Sequence, residues 1–238
     1  MSLIGEIERP MPSNAVIKAV LRAVDGSGLR PPARGIDLSC GDGHIIEALV
    51  QRGFLMEGTH FRGDDYILHV PSPVLQNIPL HQGVDLTRSL PFADGAYDLV
   101  LATEVLEHLP SHAPVLAEVG RVLRPGGMFI CTTPNIHRLS SRARFFLTGV
   151  HDLCGARLGW HVPPDGLYST HHNPVYFPVF HTLLFQNQMR ITGWCLRESG
   201  RGAGFWPRSG LVWRSRRAWK PSISGSGLAR EGKTCCDG

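Results

Sequence analysis

Apolar and polar positions repeat with two different periods along most of this chain, which predicts strands separated by helices. Helical spacing covers residues 14–24, 45–51, 104–122 and 175–188, with a further basic amphipathic stretch at 138–147, whereas short apolar runs at 34–37, 54–61, 83–86, 97–102 and 128–132 predict strands. Strands that alternate with helices favour a doubly wound α/β fold, whose mostly parallel sheet binds ligands at the carboxyl ends of its strands.

The composition of the chain indicates the cellular compartment in which we expect this fold. The chain has 238 residues, enough for one domain, and 42% of them are hydrophobic. No stretch approaches the roughly 18 uninterrupted apolar residues of a membrane span. Residues 1–12 have no apolar segment typical of a signal peptide, and the six cysteines form no CxxC pair. We therefore predict a cytoplasmic protein with reduced thiols and no membrane helix.

Charge is distributed unevenly along the chain. Residues 1–189 have 14 Lys and Arg against 17 Asp and Glu, a net charge of −3, whereas residues 190–238 have 10 against 3, a net charge of +7. Such a basic tail either attracts nucleic acid or is a solvated end. Because apolar periodicity also disappears after Thr192, we expect a domain at 1–192 and a poorly ordered tail at 193–238, with the last strand missing or altered.

A glycine turn follows the first predicted strand, in Asp37-Leu-Ser-Cys-Gly41-Asp-Gly43. Its glycines allow backbone N–H groups to approach a ligand closely. The dinucleotide fingerprint GxGxxG would need a third glycine where Ile46 stands, which argues against NAD. The Asp37 carboxylate would repel a pyrophosphate and favours a ligand with a cationic amino-acid group.

Further segments occur in a fixed order after this turn, and together they carry a resemblance. They are Val84-Asp-Leu with Leu90-Pro-Phe, Tyr97-Asp-Leu-Val, Glu104-Val-Leu-Glu-His-Leu, Leu123-Arg-Pro-Gly-Gly and Thr133-Pro-Asn. With the glycine turn they resemble the class I S-adenosylmethionine-dependent methyltransferases over residues 14–148, in particular the type 11 and type 23 methyltransferase domains.

The resemblance implies a set of cofactor-binding residues. Asp37, Ser39, Gly41 and Gly43 would line the methionine moiety, Asp85 and Leu86 would contact the adenine, and Thr103 and Glu104 would close the cofactor from the fourth strand. For Asp85 a turn residue is the alternative interpretation.

Two positions depart from the family pattern. Ser39 replaces its first glycine, which an ordinary backbone conformation would tolerate. His60 stands where the ribose-binding carboxylate is expected. Either His60 would contact the sugar, or one of the two later carboxylates, Asp64 or Asp65, would do so.

A candidate metal site follows the fourth predicted strand. Glu104, Glu107 and His108 are spaced i, i+3 and i+4, which on a helix places them on one face. This element resembles the one that holds a divalent ion in ubiquinone O-methyltransferases and small-RNA 3′-end methyltransferases, the latter with a downstream histidine that His171 or His172 would supply. Alternatively, Glu104 contacts the cofactor while Glu107 and His108 cap a metal-free helix.

These features predict methyl transfer from S-adenosylmethionine to a small-molecule, glycan or lipid-linked acceptor, at oxygen. An acceptor hydroxyl needs a base, for which His108 and His171 are the candidates. Asn173-Pro174, expected to open the late helix, resembles methyltransferases of polysaccharide gene clusters and hints at a glycan. The alternatives are a noncatalytic protein of the same fold, an RNA-modifying methyltransferase and an NAD-dependent dehydrogenase. We do not expect nucleic acid to be a partner of this protein.

Overall fold

The computed structural model describes residues 12–61, 71–149, 151, 171, 173–196 and 211–217. Its helices are α1 (Asn14–Asp25), α2 (His44–Val50), α3 (His112–Val122), α4 (Leu139–Thr148) and α5 (Phe177–Gln186), with 3-10 turns at Pro73–Gln76 and Leu106–His108. Its strands are β1 (Arg34–Asp37), β2 (Leu55–His60), β3 (Leu80–Gln82), β4 (Tyr97–Thr103), β5 (Leu123–Thr133), β6 (Met189–Leu196) and β7 (Leu211–Arg217).

The strands form a single sheet with the order β3-β2-β1-β4-β5-β7-β6. Strands β1 to β5 are parallel, and β7 runs antiparallel to both β5 and β6. This arrangement confirms the predicted doubly wound, mostly parallel sheet. The order reverses between β1 and β4, so a crevice opens at their carboxyl ends, where ligands bind in such sheets.

Helices cover both faces of this sheet, because alternate strand residues point to opposite sides. In β4, Leu99 and Leu101 pack with α1 and α2, whereas Val100 and Ala102 pack with α3 and α5. The near-continuous apolar sequence of β4 is explained by this double burial. Among the described residues, no helix is both long enough and apolar enough to cross a membrane.

The predicted helix over 104–122 is wrong at its beginning. Glu104 has a left-handed backbone with φ of 51°, the 3-10 turn Leu106–His108 follows, and α3 begins only at His112. Pro110 has no N–H to give to a helix, and the Ser111 hydroxyl accepts a hydrogen bond from the backbone N–H of Ala113 instead.

Two further expectations about elements are also corrected. Residues 83–86 are not a strand: β3 ends at Gln82, and Gly83 adopts a left-handed φ of 72°. The late helix begins at Phe177, not at Asn173-Pro174. Asn173 is instead tied to the 3-10 turn after β4, since its backbone N–H donates to Glu107 O and its side chain donates to Leu109 O.

The last strand is present, so of the two expectations for it, missing or altered, only an altered strand stays a prediction. Strand β7 lies inside the predicted tail and pairs with β5 from Met128↔Arg216 to Thr133↔Leu211. Strand β6 crosses the expected boundary at residue 192 and continues to Leu196. Strand β7 forms through backbone pairing with β5 and β6, although the apolar periodicity of its sequence does not predict a strand. The order of the remaining tail lies outside the described residues.

A buried ionic cluster ties the first four strands together around Glu57 of β2. One carboxylate oxygen of Glu57 accepts hydrogen bonds from Arg34 Nε and Nη2, at 2.9 and 2.6 Å, and the other accepts from His81 Nε2 at 2.9 Å and Tyr97 Oη at 3.0 Å. Burial alone would raise the pKa of Glu57, but the hydrogen bonds from His81, Arg34 and Tyr97 outweigh it and hold the pKa below its ordinary value.

We expect Glu57→Gln to lower the free energy of unfolding by about 2–3 kcal/mol at pH 7, because an amide cannot satisfy the same donors. Since the pKa of Glu57 is lowered in the folded state, the stabilisation is complete above the ordinary glutamate pKa of about 4 and is lost as the pH falls below it. Urea unfolding at neutral and acidic pH measures both effects.

Asp25→Asn provides a matched control, since Asp25 is an exposed carboxylate that pairs with Arg52 at 3.0 Å. It should cost less than about 1 kcal/mol, as exposed ion pairs do. Equal losses from the two substitutions would contradict the role assigned to the Glu57 cluster.

Candidate active site

The site is built around Asp37, the last residue of β1. Its side chain is only 1% exposed, and its Oδ1 atom has no hydrogen-bonding partner among the described residues. Burial raises the pKa of Asp37 to about 7. An unpaired buried carboxylate is costly, so this position is suited to a ligand that brings positive charge.

The glycine turn after Asp37 holds the backbone in unusual conformations. Gly41 and Gly43 have φ of 53° and 78°, and a Cβ atom on Gly43 would lie 2.6 Å from Leu75. Ser39 also has a positive φ, of 67°, so the condition of an ordinary backbone at this position is not met. The Ser39 N–H donates to Thr59 Oγ1 at 2.9 Å, which holds the strained residue in place.

His60 at the end of β2 is fastened to the same turn. Its Nε2 atom lies 3.0 Å from Gly41 O and 3.3 Å from Cys40 Sγ. A carbonyl oxygen accepts and never donates, so Nε2 carries a proton, and in the neutral imidazole Nδ1 keeps a lone pair. Within the described residues that lone pair is available to a hydroxyl donor. Asp64 and Asp65, the other ribose candidates, lie outside the described residues.

Asp85 belongs to a tight turn after β3. Its Oδ1 accepts hydrogen bonds from the backbone N–H and the hydroxyl of Thr87, at 2.9 and 2.6 Å, and its Oδ2 lies 3.2 Å from Arg88 Nε. This geometry agrees with the alternative interpretation of Asp85 as a turn residue. Leu86 next to it is buried, and the adenine role of both residues stays a prediction.

At the end of β4, Thr103 is buried and its hydroxyl has no hydrogen-bonding partner in the described part of the chain. The N–H of Glu104 donates to Thr132 Oγ1 at 3.0 Å, which stabilises the left-handed backbone there. Asp37, His60 and Thr103 therefore end neighbouring strands at the same edge of the sheet.

Glu107, His108 and His171 form a compact cluster beside Thr103. One ligand atom from each lies within 4.8 Å of the others, and the rings of His108 and His171 are 4.7 Å apart. Burial, and next the charge of Glu104, raises the pKa of Glu107 to about 8. Glu104 is not a member of this cluster, because its left-handed backbone breaks the helix on which the shared face was expected. His172 lies outside the described residues.

Two buried residues near the site were not singled out from the sequence. Thr133 ends β5. Its hydroxyl lowers the pKa of Glu107, but by less than burial raises it. His44 follows Gly43 at the start of α2, and its Nδ1 lies 3.6 Å from Glu47 Oε2. The sequence could have indicated Thr133, because it begins the Thr133-Pro-Asn segment of the resemblance. It could not have indicated His44, because a single histidine after a glycine turn has no specific meaning.

Known proteins resemble this chain in sequence over the residues that build the site. Residues 36–131 match the family model described as a methyltransferase domain. The chain is 33% identical over 118 residues to a ubiquinone biosynthesis O-methyltransferase of Aeromonas salmonicida, covering 47% of each chain. It is 31% identical over 114 residues to a demethylmenaquinone methyltransferase of Staphylococcus aureus, covering 46% of each. The chain thus spans about half the length of the curated relatives it matches.

Solved structures show the same fold over more of the chain. A SAM-dependent methyltransferase from Methanosarcina mazei has a TM-score of 0.57 at 22% identity and covers 83% of this chain and 98% of its own. One from Mesorhizobium loti has a TM-score of 0.58 at 15% identity and covers 87% and 100%. Residues 36–131 thus resemble a methyltransferase domain, and the chain has the fold of S-adenosylmethionine-dependent methyltransferases.

We expect Asp37→Asn to stabilise the protein without cofactor by about 2 kcal/mol at pH 8. A raised pKa in the folded state means that the wild-type protein loses stability as the pH rises from about 4 to about 7, whereas the variant does not. Urea unfolding at pH 4.5 and pH 8 measures the difference, with Asp25→Asn as the exposed control. An Asp37→Asn protein that is no more stable at pH 8 would contradict the unpaired state of this carboxylate.

Proposed function

We propose that this protein transfers the methyl group of S-adenosylmethionine to a hydroxyl oxygen of a small-molecule acceptor, including glycans and lipid-linked molecules. The observation that carries the proposal is the buried, unpaired Asp37 carboxylate beside the glycine turn. It fits a ligand whose amino-acid end is cationic and does not fit a pyrophosphate.

The residues present fit this cofactor in other respects. Gly41 and Gly43 keep the backbone open to the methionine moiety, and the lone pair on His60 Nδ1 can accept a hydrogen bond from a ribose hydroxyl as a carboxylate would. The remainder of the cofactor would be lined by the other candidates, which are Ser39, Asp64, Asp85, Leu86, Thr103 and Glu104.

Methyl transfer needs alignment and the removal of one proton. When bound, S-adenosylmethionine would supply the methyl group: the acceptor oxygen would attack the methyl carbon while the carbon–sulfur bond breaks, with its electron pair returning to sulfur to leave S-adenosylhomocysteine. We assign His108 and His171 to the acceptance of the hydroxyl proton, because their rings meet at the mouth of the site and the pKa of Glu107, at about 8, leaves that carboxyl largely protonated at neutral pH. The name of the Aeromonas salmonicida relative, an O-methyltransferase, supports oxygen as the acceptor atom.

Calorimetric titration with S-adenosylmethionine and, separately, with NAD tests the cofactor. We expect saturable binding of S-adenosylmethionine only, weakened at least about tenfold in Asp37→Asn, because a lost charge-assisted contact costs about 1.5–3 kcal/mol. Asp25→Asn should bind as the wild type does. Binding of NAD, or equal affinity of the two variants, would contradict the proposal. An acceptor screen that begins with quinone precursors and glycans would then follow methyl transfer from labelled cofactor.

As an alternative to His108 and His171 as bases, we propose that Glu107, His108 and His171 hold a divalent metal ion, with Glu104 as a residue near it. The supporting observation is the convergence of three donor atoms within 4.8 Å around a Glu107 carboxylate that accepts no hydrogen bond of good geometry among the described residues. When bound, such an ion would lower the pKa of an acceptor hydroxyl. Carboxylate and imidazole donors suit Mn²⁺, Zn²⁺ or Fe²⁺ better than Ca²⁺.

Titration of the metal-stripped protein with Mn²⁺ and Zn²⁺ in a calorimeter tests the metal site without any turnover. We expect one site per chain, weakened at least about tenfold by His171→Gln, because each removed ligand costs roughly that much. His181→Gln, at an exposed histidine of α5, is the matched control and should change nothing. Equal binding by both variants would contradict this metal site.

A further inference from the structure

His171 joins the cluster with Glu107 and His108 from a distant part of the chain. The other two residues belong to the 3-10 turn that follows β4, whereas His171 precedes α5. Its Nε2 atom lies 3.9 Å from Glu107 Oε1, and its ring meets the His108 ring edge-on with 4.7 Å between centroids. The geometry of the cluster therefore depends on contacts between two segments that are far apart in sequence.

Asn173, two residues after His171, makes two of these contacts. Its backbone N–H donates to Glu107 O at 3.1 Å, and its side-chain Nδ2 donates to Leu109 O at 2.9 Å. One residue therefore binds two carbonyl groups of the same turn. A shift of Asn173 along the turn, or a rotation about it, would break at least one of the two hydrogen bonds, so together they fix both its position and its direction.

The carbonyl groups of this turn need donors from elsewhere in the chain. A 3-10 turn of three residues forms few hydrogen bonds of its own, and a buried carbonyl without a partner is costly. Both Glu107 and Leu109 are buried. His112 Nε2 lies 3.0 Å from Leu106 O, and Asn173 supplies the donors for the carbonyls of Glu107 and Leu109. Asn173 thus satisfies the turn that carries two members of the cluster.

The two residues after Asn173 help to keep it in place. Pro174 restricts the backbone of the residue before it to extended conformations, which reduces the conformational freedom that Asn173 loses when it binds the turn. Val175 is buried in the apolar cluster that includes Leu106 and Leu109 of the same region. The Asn173-Pro174 pair, which does not open α5, therefore fastens this segment to the 3-10 turn.

We propose that Asn173 is a positioning residue, whose two hydrogen bonds to the 3-10 turn hold His171 against Glu107 and His108. Asn173 acts through His171 and is not itself a member of the cluster. Its importance for activity rests on the function proposed for that cluster, as a base or as a metal site. The placement of the His171 ring does not depend on that function, because it follows from contacts within the protein.

The proposal requires an amide at position 173. An aspartate has the same shape but no N–H donor, and the carbonyl oxygen of Leu109 would repel its carboxylate. Asn173→Asp should therefore release His171 without a change in side-chain size. Asn187→Asp is the matched control, because Asn187 Nδ2 also donates to a backbone carbonyl, that of Leu183 at 2.8 Å, and lies outside the cluster.

NMR spectroscopy of the full chain with labelled histidines, without metal or cofactor, tests the positioning directly. In the wild type, the ring protons of His108 and His171 should show a nuclear Overhauser effect, because the ring centroids lie 4.7 Å apart. His108→Gln and His171→Gln assign the two rings. We expect Asn173→Asp to lose this signal and Asn187→Asp to keep it.

Calorimetric titration with Zn²⁺ gives a second readout. Asn173→Asp should weaken zinc binding about tenfold, since residues that orient metal ligands contribute roughly that much, whereas Asn187→Asp should bind zinc as the wild type does. In a His171→Gln background, Asn173→Asp should cause no further loss, because a residue that acts through His171 then has nothing to position. An equal loss in both backgrounds would overturn the proposal.

Two further outcomes would overturn the positioning role. They are a ring-to-ring signal that Asn173→Asp retains, and equal losses of that signal from Asn173→Asp and Asn187→Asp, which general destabilisation would explain. Cooperative urea unfolding of both variants would show that the fold is retained. If the wild type binds no zinc but only Asn173→Asp loses the ring-to-ring signal, the proposed metal site fails and the positioning role is supported, so the two failures are distinguishable.

Discussion

The desolvation of one carboxylate organises the ligand-binding end of this protein. Asp37 closes β1 and is removed from water by the glycine turn above it and by the strands on either side. Its Oδ1 has no partner in the described structure, whereas Glu57, which is also buried, accepts hydrogen bonds from four donors on three other strands. Glu57 is satisfied from within and stabilises the sheet. Asp37 is not, and its unpaired burial supports the proposal of a cationic ligand at this position.

Other residues at the same edge of the sheet also have polar atoms or backbone conformations that the fold alone does not require. His60 uses one ring nitrogen to hold the glycine turn and leaves the other as an acceptor. Ser39 and Glu104 adopt left-handed conformations that non-glycine residues rarely take, and both occur where a parallel strand ends at the crevice. Unpaired polar atoms therefore coincide at this edge of the sheet with Ser39 and Glu104, two of the three non-glycine residues of positive φ among the described residues; the third, Gln188, precedes β6.

Apolar periodicity predicted most of the sheet and the first helix, because these elements bury continuous apolar runs such as β4. It could not predict the break after β4, since Glu104 to Val122 has helical spacing and only the left-handed Glu104 and Pro110 interrupt it. The seventh strand was missed for another reason: its pairing comes from β5 and β6, which are distant in sequence. Of the site, the Glu107, His108 and His171 group was foreseen, whereas the position of Glu104 outside it depends on one backbone angle.

The position of β7 has a consequence for biosynthesis. The last described strand lies between β5 and β6, so the sheet is completed from the middle and not from its edge. Until residues 211–217 leave the ribosome, β5 presents an unpaired row of backbone donors and acceptors, and β6 has no neighbour to join. Unpaired edges of that kind invite pairing between chains. Both edges therefore stay open to such pairing until residues 211–217 have been made, well after the glycine turn and β4.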